Sequence, residues 1–163
     1  MTRYRFVESP VGRLLVAGDE EGLRAVLFQQ GPKAAEPEAD WELDEGVMPE
    51  AVEQLAEYFA GERREFSVKV APRGTAFQLR VWQELQRIEY GETISYGELA
   101  TRVGNPKASR AVGLANGQNP ISIIVPCHRV VGANGKLTGY GGGLPIKEAL
   151  LRLEKGRSGL FGL

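Results

Sequence analysis

Ser95-Tyr96-Gly97-Glu98-Leu99-Ala100-Thr101-Arg102-Val103-Gly104-Asn105-Pro106-Lys107-Ala108-Ser109-Arg110 reads as two short helices across a tight turn. Ser95 with Glu98 three residues on is a capping-box signature, and Leu99, Ala100 and Val103 follow on one face. Gly104 stops that helix. Asn105 as N-cap and Pro106 at the first helical position predict that a second helix starts at once. The pair is a helix-turn-helix. Its second helix carries Lys107 and Arg110 one turn apart among Ala108, Ser109, Ala111, Gly113 and Ala115. Small side chains permit close approach to a surface, and the two cations are placed to meet phosphates. An equal alternative is that the small residues pack inward while the cations are solvated.

Upstream of this unit, Thr75-Ala76-Phe77-Gln78 is another capping box, followed by Phe77, Val81, Leu85 and Ile88 on one helical face. Ala71-Pro72-Arg73-Gly74 breaks the pattern before it and sets a domain boundary there, giving domains of residues 1–72 and 73–163. The first domain opens with three β-rich runs, Arg3 to Glu8, Arg13 to Ala17 and Leu23 to Phe28. They are separated by Ser9-Pro10-Val11-Gly12 and Asp19-Glu20-Glu21-Gly22, which have turn chemistry, so an antiparallel meander is expected. Residues 31–47 read as an exposed connection. A helix follows from Pro49, with Val52, Leu55, Ala56 and Phe59 inward and Gly61 as its stop, and then a strand from Phe66 to Val70. The fold class is α+β, a β-rich first domain with one helix and a mainly helical second domain.

Downstream, Ile121 to Val125 is a short apolar segment leading to Pro126-Cys127-His128-Arg129-Val130, which holds the only cysteine and the only histidine of the chain. A thiol is a good nucleophile as thiolate, and a neighbouring imidazole is a common way to make it one. Neighbours in an extended segment face opposite ways, so His128 needs a bent backbone or a bridging water to serve Cys127. It also needs a third group to orient it. Glu154 lies on the same face of a final helix as Lys147, beside Leu150 and Leu151; its plainer reading is a helix-end carboxylate in solvent. The plainer reading of Cys127 is a small buried hydrophobe. The glycine-rich stretch Gly132 to Gly143 lacks the Lys-Ser/Thr ending of a phosphate loop, so its glycines are read as allowing close backbone approach to a ligand or to the Cys127 segment.

One cysteine excludes an internal disulfide, and one cysteine with one histidine is too few soft ligands for structural zinc, so neither metal nor cofactor is expected. No apolar run is long enough for a signal peptide or a membrane span, which points to a reducing, cytoplasmic setting (nuclear in a eukaryotic source). The net charge of −1 conceals a division. Residues 1–72 hold eight Lys/Arg against fifteen Asp/Glu, and residues 73–163 hold twelve against six. A basic second half suits an anionic partner, nucleic acid first; two faces attracting each other is the alternative.

The chain resembles the O6-alkylguanine-DNA alkyltransferases, or methylated-DNA–protein-cysteine methyltransferases, over roughly Phe77 to Lys155. The resemblance rests on Tyr90-Gly91-Glu92-Thr93-Ile94-Ser95-Tyr96, Gly104-Asn105-Pro106-Lys107-Ala108-Ser109-Arg110-Ala111-Val112-Gly113, Asn119-Pro120, Ile124-Val125-Pro126-Cys127-His128-Arg129-Val130, and Gly142-Gly143-Leu144 with Lys147-Glu148. It implies a helix-turn-helix bound in the minor groove of double-stranded DNA carrying O6-alkylguanine, and a damaged base flipped into a pocket; whether O4-alkylthymine is also a substrate is left open. By that resemblance Arg110 takes the place of the flipped base. Lys107 and Asn105 join the DNA contact. Tyr96 crowds the phosphate and bonds the guanine, and Cys127, Val130 and Gly141 read the base edge. Cys127 attacks the alkyl carbon, His128 held by Glu154 takes the thiol proton through a water, Asn119 braces the site and Lys147 assists. The S-alkylcysteine product is not cleared, so the protein is spent in one turnover. It acts as a monomer, with no membrane and no obligate protein partner. Gly141 stands where some relatives have serine, and the zinc ligands that some relatives carry are absent.

Three other functions fit parts of the pattern. A non-repairing sensor of alkylated bases lacks the acceptor cysteine that is present here. A cysteine hydrolase seldom has its dyad adjacent in sequence. A transcription regulator with a structural cysteine predicts sequence-specific binding to undamaged DNA.

Overall fold

Strands β1 (Arg3–Val7), β2 (Leu14–Asp19) and β3 (Gly22–Phe28) pair antiparallel in chain order. The central strand, Leu14-Leu15-Val16-Ala17-Gly18-Asp19, is apolar on both faces and buried on both, whereas β1 alternates more polar side chains at the rim. These coordinates come from a computed structural model that describes residues 1–31, 34–137, 140 and 142–156. The connection expected over 31–47 is largely exposed, but it holds a two-residue strand, β4 (Glu42–Leu43), which pairs parallel with Arg3 and Tyr4 and gives the sheet order β3-β2-β1-β4.

Helix α1 (Pro49–Phe59) begins with Pro49, whose fixed φ suits a first helical position. It ends at Gly61, which adopts φ 77°. Its buried face is Ala51, Gln54, Leu55, Tyr58 and Phe59. The expected face is corrected at Ala56, which is exposed. Three neighbours turn that face by about one residue: Tyr58 is drawn inward to a hydrogen-bond partner, and it packs against Phe66 and Tyr90. Phe66 to Val70 is not a strand. It makes a single parallel bridge, Leu23 to Val70, and its apolar side chains Phe66, Val68 and Val70 serve as a partly buried cover for the core.

Helix α2 (Ala76–Leu85) starts at the complete Thr75/Gln78 capping box and buries Val81, Trp82 and Leu85. Helix α3 (Tyr96–Arg102) is capped by Ser95, whose hydroxyl accepts from the Glu98 amide at 3.0 Å. The Glu98 carboxylate pairs with Arg102 at 2.9 Å. Helix α4 (Ser109–Gly117) starts later than the sequence suggests. Asn105 is not its cap: residues 105–108 form a turn closed by the Ala108 amide on the Asn105 carbonyl at 3.0 Å, and Lys107 lies in that turn. Gly104, at φ 90°, reverses the chain so sharply that a further turn is needed before helix can resume. Trp82 Nε1 donates to the Ala115 carbonyl at 2.8 Å, and Arg80 to the Val103 carbonyl, fastening α2 to the helical pair.

Two links carry this framework to the segment around Cys127. The outer edge of β3 bridges Ile121 through Val26: the Val26 amide donates to Pro120 at 2.9 Å and the Ser122 amide to Val26 at 2.9 Å. Strand β5 (Ile94–Ser95) pairs parallel with β6 (Val130–Val131), so the residues that open α3 are hydrogen-bonded to those leaving the Cys127 turn. Helix α5 (Leu144–Glu154) completes the chain and buries Lys147, Leu150, Leu153 and Glu154. Among the described residues no helix is long and apolar enough to cross a membrane.

Candidate active site

Residues 121–125 are not extended; they form a series of turns in which Ile123 sits at φ 71° while almost fully buried. A β-branched residue in left-handed backbone costs on the order of 1–3 kcal/mol and persists only where neighbours hold it. Asn119 supplies the hold. Its Nδ2 donates to the Val125 carbonyl at 2.8 Å and the Ile121 carbonyl at 3.2 Å, and its Oδ1 accepts from the Ile121 amide at 3.0 Å. The chain then enters a 3₁₀ turn at Cys127–Arg129. This is the bent backbone that adjacent Cys127 and His128 require in order to serve one site.

Glu154 is buried, not a solvated helix end. Its Oε2 lies 2.6 Å from His128 Nε2, accepts from the Tyr58 hydroxyl at 2.6 Å and from Arg129 at 3.0 Å, and its Oε1 accepts from Arg129 Nε at 2.8 Å. Four donors on two oxygens fill the capacity of an ionised carboxylate. Burial pushes this carboxyl up, but His128 and Arg129 outweigh it and hold it at about 2. Burial pushes the His128 imidazole below its ordinary value despite the pull of Glu154, so the ring is neutral at pH 7. An ionised Glu154 can only accept, so Nε2 carries the ring proton and Nδ1 keeps its lone pair. Nδ1 is buried with no hydrogen-bond partner among the described residues.

Burial also pushes the Cys127 thiol up, against the influence of Asn119, Lys147 and Tyr140. At neutral pH it rests as a thiol and needs a base before it can act. Lys147 is fully buried, donates to the Val130 carbonyl at 2.7 Å, and is lowered by burial to about 8 against the pull of Cys127. The Tyr140 hydroxyl sits near Cys127 and Ser122 without completing a well-formed hydrogen bond to either.

Cys127, His128, Glu154, Asn119, Lys147 and Val130 thus come together. Tyr96, half-buried at the start of α3, has its ring beside Gly113 of α4. Arg110 is exposed at the second position of α4; Lys107 and Asn105 are exposed in the turn before it. Gly141 lies outside the described residues. Within the glycine-rich stretch, Gly142 makes its close approach to Phe28 of β3 and not to the Cys127 segment: an added Cβ would stand 2.8 Å from the ring. Sequence reasoning missed Tyr58, Arg129 and Tyr140. Arg129 had one signal: an arginine inside so apolar a segment needs an acid. Its third anchor is the Ile88 carbonyl at 2.6 Å.

Residues 76–156 match the model of the 6-O-methylguanine DNA methyltransferase DNA binding domain, and residues 2–72 that of the 6-O-methylguanine DNA methyltransferase ribonuclease-like domain. A methylated-DNA–protein-cysteine methyltransferase of Methanosarcina acetivorans is 61% identical over 151 residues, covering 93% of this chain and 97% of that protein. One of Mycobacterium tuberculosis is 55% identical over 159 residues, covering 97% and 95%. The crystal structure of an O6-methylguanine methyltransferase from M. tuberculosis superposes with a TM-score of 0.89 at 54% identity over 98% of this chain and 96% of that one. The same organism's OGT in complex with DNA gives 0.88 at 53% identity over 98% and 99%.

Proposed function

The chain belongs to the 6-O-methylguanine DNA methyltransferase family, and from that premise we propose that it repairs DNA directly, moving the alkyl group of O6-alkylguanine onto Cys127 in a single irreversible turnover. The observation that carries the choice of residues is the 2.6 Å contact between His128 Nε2 and Glu154, which leaves a buried Nδ1 lone pair on the residue that follows the buried thiol.

Nδ1 accepts the thiol proton through a water, and Glu154 stabilises the imidazolium that forms. The thiolate lone pair attacks the alkyl carbon in line. The carbon–oxygen bond breaks, its electrons pass to the guanine, and a thioether remains on the protein. A thioether is a poor leaving group, so the product is not cleared. The Lys147 ammonium lies close enough to the thiol to favour its anion. Asn119 keeps the preceding turns, and hence the nucleophile, in place.

Arg110 stands exposed on α4, which carries small residues at Ala111 and Gly113. This suits entry into the minor groove and occupation of the space a flipped guanine leaves. Lys107 and Asn105 contact the DNA backbone, Tyr96 contacts the nucleotide, and Val130 lines the base pocket. The protein works in the cytoplasm, as a monomer, with its alkyl-acceptor site in the domain of residues 73–163 and a supporting domain of residues 1–72. Intact-mass spectrometry after mixing with a duplex containing one O6-methylguanine tests the reading. One methyl per protein, mapped to Cys127, supports it. Lesion binding without transfer indicates a sensor, and the absence of both transfer and lesion binding overturns the reading.

A further inference from the structure

Tyr58 and Glu154 are 96 residues apart and belong to different segments of the chain, yet the tyrosine hydroxyl donates at 2.6 Å to the oxygen that also receives His128. Tyr58 is fully buried. Its ring is gripped by Phe59 and Tyr90 in edge contacts at 5.3 and 6.2 Å and by Phe66 at 5.6 Å. Neither ring nor hydroxyl is free to turn away. Burial and the Glu154 charge push the phenol well above its ordinary range, so it remains a donor wherever the protein is folded.

We infer that Tyr58 is a positioning residue for alkyl transfer: through Glu154 Oε2 it fixes the orientation and tunes the proton affinity of His128. The inference rests on the proposed role of His128. A donor on Oε2 draws negative charge away from the face presented to the imidazole. It therefore limits how strongly Glu154 holds a proton on the ring, and it prevents the carboxylate from rotating about the Arg129 fork. The ribonuclease-like segment thereby contributes one functional atom to the catalytic network, in addition to supporting the fold.

His128 is the only histidine, so its ring signals can be followed directly by nuclear magnetic resonance. The charged and titratable groups around the His128–Glu154 pair are Arg129 and Cys127 from the 3₁₀ turn, Lys147 from α5, Tyr58 from α1, and Tyr90 and Tyr140. Tyr58→Phe keeps the ring packing and removes only the hydroxyl. In that variant the His128 titration midpoint should rise, because Oε2 regains the charge that the phenol withdrew. Tyr58→3-fluorotyrosine, a stronger donor of nearly the same shape, should lower it. Rates of transfer from free O6-benzylguanine should show their acid limb displaced in the same two directions. An unchanged midpoint in the phenylalanine variant, folded by its circular dichroism, overturns the inference and leaves Tyr58 a packing residue. The titration needs no substrate, so a wild-type chain that accepts no alkyl group refutes the repair reading separately.

Discussion

Lys147 Nζ donates to the carbonyl of Val130 at 2.7 Å, from a side chain with no exposed surface. The bond ties α5 to the residue that leaves the nucleophile's turn, and it brings a cation near Cys127 that burial has lowered to about 8. Replacing Lys147 with methionine keeps the length and removes the charge. Transfer from a free alkylated guanine at pH 7 should slow by about tenfold, equivalent to one 1.4 kcal/mol step in thiolate stabilisation. Single-turnover kinetics check this; an unaltered rate removes the electrostatic role.

His128→Gln keeps a polar side chain at the site but supplies no base of comparable strength. A general base typically contributes 10²–10⁴-fold, so transfer should fall by roughly that range while affinity for duplex DNA stays within about twofold. Rate and binding measured on the same preparation separate the two. Parallel losses would place His128 in DNA binding instead.

Arg110→Ala should weaken repair of an alkylated duplex by roughly 30- to 100-fold, the equivalent of the few kcal/mol needed to hold one base out of the stack. Reaction with the free base should be nearly unchanged. Equal losses on both substrates would contradict the intercalating role.

Acid should act on the Glu154 network in a defined window. Its carboxyl sits at about 2 when folded and 4.5 in the ordinary state, so its contribution is complete above pH 4.5 and disappears as pH falls towards 2. By linkage that is on the order of 3 kcal/mol. Glu154→Gln leaves the Arg129 charge buried without a counter-charge and should cost about 3–5 kcal/mol at pH 7. The stability gap to wild type in urea melts should narrow as pH drops through that window. A gap independent of pH would mean that the carboxylate charge is not what the network uses.

Asn119→Ala removes three hydrogen bonds from backbone groups that lie beneath the surface. With Ile123 held in left-handed backbone between them, the loss should reach about 2–4 kcal/mol. Thermal denaturation measures it, and a loss under 1 kcal/mol would show that the turns hold themselves.

The three-strand meander, the capped start of α2 and the chemistry at Cys127 are legible in the sequence because each rests on local pattern: alternation, a Thr75–Gln78 pair, a thiol beside an imidazole. The β4, β5 and β6 pairings are not, since strands of two residues leave no periodicity to detect. The start of α4 misleads for a related reason. Asn105-Pro106 has the composition of a helix entry, but the left-handed Gly104 before it commits the chain to another turn. The least legible part is the set of side chains around Glu154. Tyr58, His128 and Arg129 reach it across 96, 26 and 25 residues, and a leucine-rich helix end gives no sign that three donors will converge there.

The bridge between Val26 and Ile121 joins positions 95 apart in sequence, and the Tyr58–Glu154 bond spans nearly the same interval. Contacts this remote form late, since loop closure precedes any reward. Synthesis runs from the N-terminus, so the sheet and α1 exist well before α5 does. During that interval the nascent cysteine has neither its oriented imidazole nor its strained loop. The imidazole proposed as the base for Cys127 therefore has no carboxylate to orient it until the chain has been made through residue 154.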